Sequence, residues 1–192
     1  MNEFPIERAE EFHELLRRRV PEKTYAHCVS VAKTMLAMAD KVEITPEQAV
    51  TAGLLHDLCK PMKPAELAQA AAEYGITEDL ESPNLLHGPV AAEECRQTLD
   101  IEDEEVIDAI RWHTTGRAGW SHVGQAMYIA DFSEPLRAYA GAEEAREILD
   151  RDGFEAALLF VIDQKLNQVK KHRSLHPSSE DFAKWAEREF AS

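Results

Sequence analysis

Ala49-Val50-Thr51-Ala52-Gly53-Leu54-Leu55-His56-Asp57 is an apolar run that ends on an adjacent histidine and aspartate, and its reading decides the fold. Thr45-Pro46-Glu47-Gln48 in front of it has the form of a helix start: Thr45 as N-cap, Pro46 at the first helical position, and Gln48 reaching back to complete a capping box. The helix that follows is too apolar for a surface element, and Lys60-Pro61 stops it. His56 and Asp57 therefore fall at the C-terminal end of a buried helix. Neighbouring side chains on a helix diverge by about 100°, so both can reach one ion only near the helix end. Further ligands must then come from other apolar segments.

Outward from this stretch, period-3.6 apolar patterning recurs and no period-2 alternation competes with it, which predicts an all-α fold. The length of 192 residues suits one domain and the 44% hydrophobic content supplies a core. The expected division is an N-terminal helix over 1–20, a core over 21–140 and C-terminal packing helices over 141–192 of the same unit. No apolar run approaches the ~18 residues of a bilayer span, and the first residues lack the pattern of a signal peptide, so a cytoplasmic protein is expected. Cys28, Cys59 and Cys95 have neither even number nor C-x-x-C spacing, which argues against a disulfide framework or a zinc ribbon. A formal net charge of −15 speaks against nucleic-acid or anionic-membrane partners and otherwise reads as solubility. A small polyanion would need a local trap of metal ions and a few cations.

In chain order, helices are expected over about Ile6 to Val20, ending in the dipole-favoured Arg17-Arg18-Arg19, and over about Glu22 to Asp40, with His27 in an apolar sector. A short Ala-rich helix opens at Pro64 and ends at Tyr74-Gly75, where glycine supplies the C-cap. Ser82-Pro83 starts another helix, which carries Leu85-Leu86-His87-Gly88-Pro89-Val90. Its Gly-Pro pair allows close backbone approach and a bend. Glu102 to Trp112 leads into His113 and a loop of small donors, Thr114-Thr115-Gly116-Arg117-Ala118-Gly119. A helix from Ser121 holds Asp131 inside Ala126-Met127-Tyr128-Ile129-Ala130-Asp131-Phe132, where an ionised carboxylate needs a partner or a metal. Helices over about Ala142–Asp150, Phe154–Lys171 and Ser179–Phe190 pattern as packing elements, with His172 and His176 as further candidate contacts.

His27, His56, Asp57, His87, His113 and Asp131 thus lie on or beside apolar segments of five helices, an arrangement that suits a site inside a helical bundle. Imidazole and carboxylate without thiolate favour iron, manganese, zinc or cobalt. Six ligands exceed one tetrahedral ion, and two ions sharing a carboxylate are the simpler count. Such a pair can activate water for attack on a phosphoryl group. From spacing alone the same histidines would equally suit hydrogen-bonded core positions.

The order H…HD…H…H…D resembles the HD-domain superfamily of metal-dependent phosphohydrolases. Within it, Leu54-Leu55-His56-Asp57-x-x-Lys60, Leu86-His87-Gly88-Pro89-Val90-Ala91, Trp112-His113-Thr114-Thr115-Gly116-Arg117 and Ala130-Asp131-Phe132-x-Glu134-Pro135-x-Arg137 are similar to the bacterial YqeK-like family. Those proteins are symmetrical bis(5′-nucleosyl)-tetraphosphatases, which cleave diadenosine tetraphosphate into two ADP at a di-iron centre. The resemblance implies a single helical HD-domain bundle with a di-metal site, iron in it, and manganese, cobalt or zinc as alternatives. It implies that His27, His56, Asp57 and Asp131 hold the first metal and that Asp57 bridges to a second held by His87 and His113. It makes Asp57 and Lys60 catalytic, through a metal-bridging hydroxide and a phosphate-facing ammonium. Thr114, Thr115 and Arg117 would line the polyphosphate and Arg137 would close the site. Thr24 stands where the family usually has an arginine. A dinucleoside polyphosphate or other nucleotide is the expected partner, and a homodimer stays open. The rivals are an HD phosphohydrolase acting on another nucleotide or phosphomonoester, a non-catalytic nucleotide- or metal-binding module, and a structural bundle whose histidines are core residues.

Overall fold

The computed structural model describes residues 4–80, 82–171 and 174–190, and among these every regular element is helical. The order is α1 (Ala9–Arg19), α2 (Glu22–Met38), a 3-10 turn (Ala39–Lys41), α3 (Pro46–Leu55), α4 (Pro64–Tyr74) and α5 (Pro83–Thr98). Then follow α6 (Glu104–Trp112), α7 (His122–Ser133), α8 (Ala140–Arg151), α9 (Phe154–Lys170) and α10 (Pro177–Phe190). No described helix is long and apolar enough to cross a membrane.

The local signals act where they stand. Thr45 Oγ1 accepts from the Gln48 backbone N–H at 3.1 Å, the Thr45 N–H donates to Gln48 Oε1 at 2.9 Å, and Pro46 opens α3. Such an N-cap is worth about 1 kcal/mol. Gly75 closes α4 in the left-handed region at φ 71°, its backbone N–H shared between the Ala71 and Ala72 carbonyls. Asp103 caps α6 by accepting from the Glu105 and Val106 amides, so that helix begins two residues later than the pattern suggested.

One difference bears on the site. Helix α3 ends at Leu55, five residues before Lys60, and residues 56–61 continue as tight turns with Leu58→Leu55, Lys60→Asp57 and Met62→Cys59 amide bonds. His56 and Asp57 consequently leave the helix end in a wound turn instead of riding on a regular helix.

Helix α7 is the centre of the assembly. Residues Val123 through Ala130 are all buried, and the helix packs against α2, α3, α6, α8 and α9. Two glycines let its neighbours approach closely. A Cβ on Gly53 would lie 2.4 Å from Ala32 Cα, so α3 rests on the backbone of α2; a Cβ on Gly88 would lie 2.7 Å from the Arg111 carbonyl oxygen, so α5 rests on α6. Pro89, one residue on, lies inside α5 and cannot donate to the preceding turn.

The C-terminal helices do more than cover the core. Phe182 of α10 packs edge-on against Trp120 and Tyr128 and fills the space beside Gly116, whose φ is 69°. Ser179 Oγ donates to the Thr115 carbonyl at 2.8 Å. Helix α10 thereby pins the loop that follows His113.

Candidate metal centre

The five segments expected to carry ligands converge on Asp57. Its Oδ2 lies 3.8 Å from His27 Nε2 and 3.6 Å from His56 Nε2, while its Oδ1 lies 3.3 Å from His87 Nε2 and 3.5 Å from His113 Nε2. Asp131 Oδ1 completes the first side, 3.2 Å from His27 Nε2 and 4.0 Å from His56 Nε2. On the second side the His87 and His113 Nε2 atoms stand 3.0 Å apart. Donors bonded at ~2.1 Å to one ion lie at most ~4.2 Å from one another, and every separation here satisfies that limit. Two groups, His27-His56-Asp57 and Asp57-His87-His113, can each hold an ion, with Asp57 common to both.

The outer contacts leave the right atoms free. His56 Nδ1 bonds to the Gly53 carbonyl at 2.9 Å and His113 Nδ1 to the Ile110 carbonyl at 2.8 Å, the same three-residue reach onto the preceding helical turn. His27 Nδ1 faces Glu134 Oε1 at 3.1 Å. Each ring thus turns Nε2 inward, as metal-ligating histidines do when their other nitrogen is held. His56 Nε2 and Asp57 Oδ1 are buried without a hydrogen-bond partner. A cation is the partner that this donor set fits.

Electrostatics agree with that fit. Burial disfavours charge on Asp57, but the surrounding imidazoles of His56, His113 and His87 outweigh it and hold the carboxyl well below its usual range. Asp131 is likewise kept ionised against its burial by His27, Lys165 and His56. Burial pushes the His56 pKa down to about 3 and also lowers that of His87, so both rings are neutral donors. His27 goes the other way: burial is outweighed by Asp131, Asp57 and Glu134, and its pKa is raised.

The cations divide into two groups. Lys60 Nζ contacts Asp57 Oδ2 at 2.6 Å, and Arg137 Nη2 lies 3.1 Å from Asp131 Oδ1, so both stand at the cluster. Thr114 Oγ1 lies 3.2 Å from His113 Nε2, and Thr114 and Thr115 line a neighbouring cavity of about 350 Å3 with Asn84, Leu85, Gln168 and His176. Arg117 is not brought to the cluster. It pairs with Asp108 on α6 at 2.8 Å and lines a separate cavity with Glu104, Glu105 and Ser121. His176 bonds to Asp79 at 3.0 Å at the rim of the Thr114 cavity; His172 lies outside the described residues.

Two participants were given no role in the reading of the sequence. Glu134, three residues after Asp131, is 1% exposed and holds His27. Lys165 of α9 lies 3.7 Å from Asp131 Oδ2. Its signal was there, since it continues the buried stripe of Leu158, Val161 and Ile162.

Comparison with known proteins places this geometry. The HD-domain family model matches residues 24–136. The chain is 33% identical to the symmetrical bis(5′-nucleosyl)-tetraphosphatase of Staphylococcus aureus, over 82% of this chain and 87% of that protein. It is 29% identical to the protein of the same name from Bacillus subtilis, over 85% and 89%. A crystal structure from Clostridium acetobutylicum, described as a predicted HD superfamily hydrolase involved in NAD metabolism, superposes with a TM-score of 0.85 at 30% identity, covering 92% of this chain and 95% of that one. An all-helical bundle in which His and Asp residues gather into metal-holding groups, matched in this way over most of its length, belongs to the HD-domain family, in its YqeK-like group.

Proposed function

We propose that this chain is a metal-dependent hydrolase that cleaves diadenosine tetraphosphate symmetrically into two ADP. The observation that carries the reading is Asp57, whose two oxygens each face a separate pair of imidazole nitrogens. Its relatives named symmetrical tetraphosphatases support the substrate. His27, His56, Asp57 and Asp131 would hold one metal and Asp57, His87 and His113 the other, with iron as the assigned element and manganese, cobalt or zinc as substitutes. When bound, two such ions activate water and withdraw charge from a phosphoryl group.

The chain's own groups supply the rest. Lys60 and Arg137, each beside a ligand carboxylate, place positive charge where the bridging phosphates gain negative charge. The Thr114 hydroxyl marks the way from the cluster into the 350 Å3 cavity, whose mixed apolar and hydroxyl lining suits one nucleoside. With ADP departing, little general-acid help is needed. Arg117 is assigned a bracing role on α6 in place of a polyphosphate contact. Residues 141–192 are assigned to the same unit as the core, and the enzyme to the cytoplasm.

Product chromatography on diadenosine tetraphosphate tests the reading. Metal-loaded protein should yield ADP alone, and Asp57→Ala should yield nothing. ATP with AMP would overturn the symmetrical cut, and turnover confined to other nucleotides would move the substrate class.

A further inference from the structure

Helix α9 brings a further cation, Lys165, to the edge of the metal cluster, where it is an ionic neighbour of Asp131. Lys165 follows Leu158, Val161 and Ile162 on the buried face of the helix, and its side chain is 18% exposed. Nζ donates to the His113 carbonyl at 3.3 Å and lies 3.7 Å above the centre of the Tyr128 ring. Asp131 Oδ2, at 3.7 Å, is an ionic neighbour beyond hydrogen-bond reach. An ammonium carries three N–H donors, and among the described residues one is used. Burying such a group is costly where a leucine or methionine would complete the stripe.

The position of the ammonium accounts for that cost. Lys165 lines a cavity of about 270 Å3 with Asp131, Arg137, Tyr139 and Gln168. Gln168, one helical turn further along α9, also lines the 350 Å3 cavity beside Thr114 and Thr115. Helix α9 therefore runs from the metal cluster to the nucleoside-sized pocket, with Lys165 at the cluster end.

We propose that Lys165 is a substrate-contacting residue whose ammonium, together with Arg137, binds the phosphate chain between the metal cluster and the nucleoside pocket. The assignment rests on the hydrolase reading above and deepens it by making α9 a wall of the polyphosphate path.

The test compares metal-loaded wild type with Lys165→Met, which keeps the aliphatic stem, and with Lys165→Arg. Metal content, thermal melting, ADP and AMP affinity, and KM for diadenosine tetraphosphate are measured on each. Lys165→Met is expected to keep its metal and its melting point, to lose about tenfold in ADP affinity and less for AMP, and to show a raised KM. Lys165→Arg should recover most of the ADP affinity. Unchanged ADP affinity in Lys165→Met overturns the proposal; so does loss of metal in step with ADP, which would make Lys165 a prop for Asp131. Should the methionine variant not fold, Lys165→Gln takes its place. Failure of the hydrolase reading appears in wild type itself, as absence of diadenosine tetraphosphate cleavage. Inorganic tripolyphosphate titrated into the same proteins then decides on Lys165, equal affinity overturning the assignment.

Discussion

A methyl group on Gly53 would stand 2.4 Å from the Cα of Ala32, inside any permitted contact, so the last turn of α3 lies directly on the backbone of α2. His56 leaves that turn three residues later, and His27 precedes Ala32 by five. The distance between the two imidazoles is thus set by the absence of one side chain. Although alanine is favoured over glycine in a helix by about 1 kcal/mol, Gly53→Ala must force two backbones apart. The expected loss is about 2–3 kcal/mol, a fall in Tm of roughly 4–10 °C, with weaker binding of the ion shared by His27 and His56. Thermal melting of metal-free protein and a metal titration check it; an unchanged melting point would show that α2 and α3 can separate freely.

Asp57 and His87 should differ in how many ions they release. Asp57 faces both groups of imidazoles, whereas His87 faces only one. Asp57→Ala is expected to lose both metals and His87→Ala only one, as read by elemental analysis after desalting. Turnover in Asp57→Ala should fall below about 1% of wild type, since even outer contacts of metal sites are worth about 10–100-fold. Retention of one tightly held ion in Asp57→Ala would refute the shared carboxylate.

The two arginines near the family motifs are expected to separate cleanly. Arg117 is 39% exposed in its side chain and paired with Asp108, so Arg117→Ala should leave KM within about twofold and cost at most about 1 kcal/mol of stability. Arg137 lies at Asp131, and Arg137→Ala should raise KM about tenfold. Steady-state kinetics on both variants decide between them, and a large KM effect in Arg117→Ala would return that residue to the phosphate path.

Metal affinity should carry a pH dependence that belongs to His27. Its pKa is raised above the ordinary ~6.5 because Asp131, Asp57 and Glu134 outweigh its burial, so in metal-free protein the ring is protonated below that raised value. Ligation needs the neutral ring. Affinity is therefore full above the raised pKa and falls as pH drops through it, by up to about tenfold per unit, with one proton released on binding. His56, neutral above about 3, contributes nothing in this range. Metal titrations from about pH 5 to 8 in buffers of different ionisation enthalpy would show the proton; a flat profile would remove His27 from the ligand set.

Most helix starts and stops were legible in the sequence because their causes are local. Thr45 with Gln48, Pro46, and the left-handed Gly75 act on residues within one turn of themselves. The ligand types were legible too, since an ionisable residue directly after Leu54-Leu55 or inside Ala126–Phe132 has few uses besides pairing or metal binding. The pairing of Arg117 with Asp108 was not legible because it depends on how the loop after His113 lies against α6, and Lys165 was missed because His113, Tyr128 and Asp131 reach it from elsewhere in the chain.

The sequence by itself determined that this chain would be helical and which imidazoles and carboxylates it could offer to metals, because apolar period and residue chemistry are local properties. Only the tertiary structure decided which oxygen of Asp57 faces which pair of histidines, and that Lys165 stands beside them. Those relations follow from how closely helices approach, at Gly53 on Ala32 and at Gly88 on Arg111, and closeness between distant residues is set by packing of the whole core.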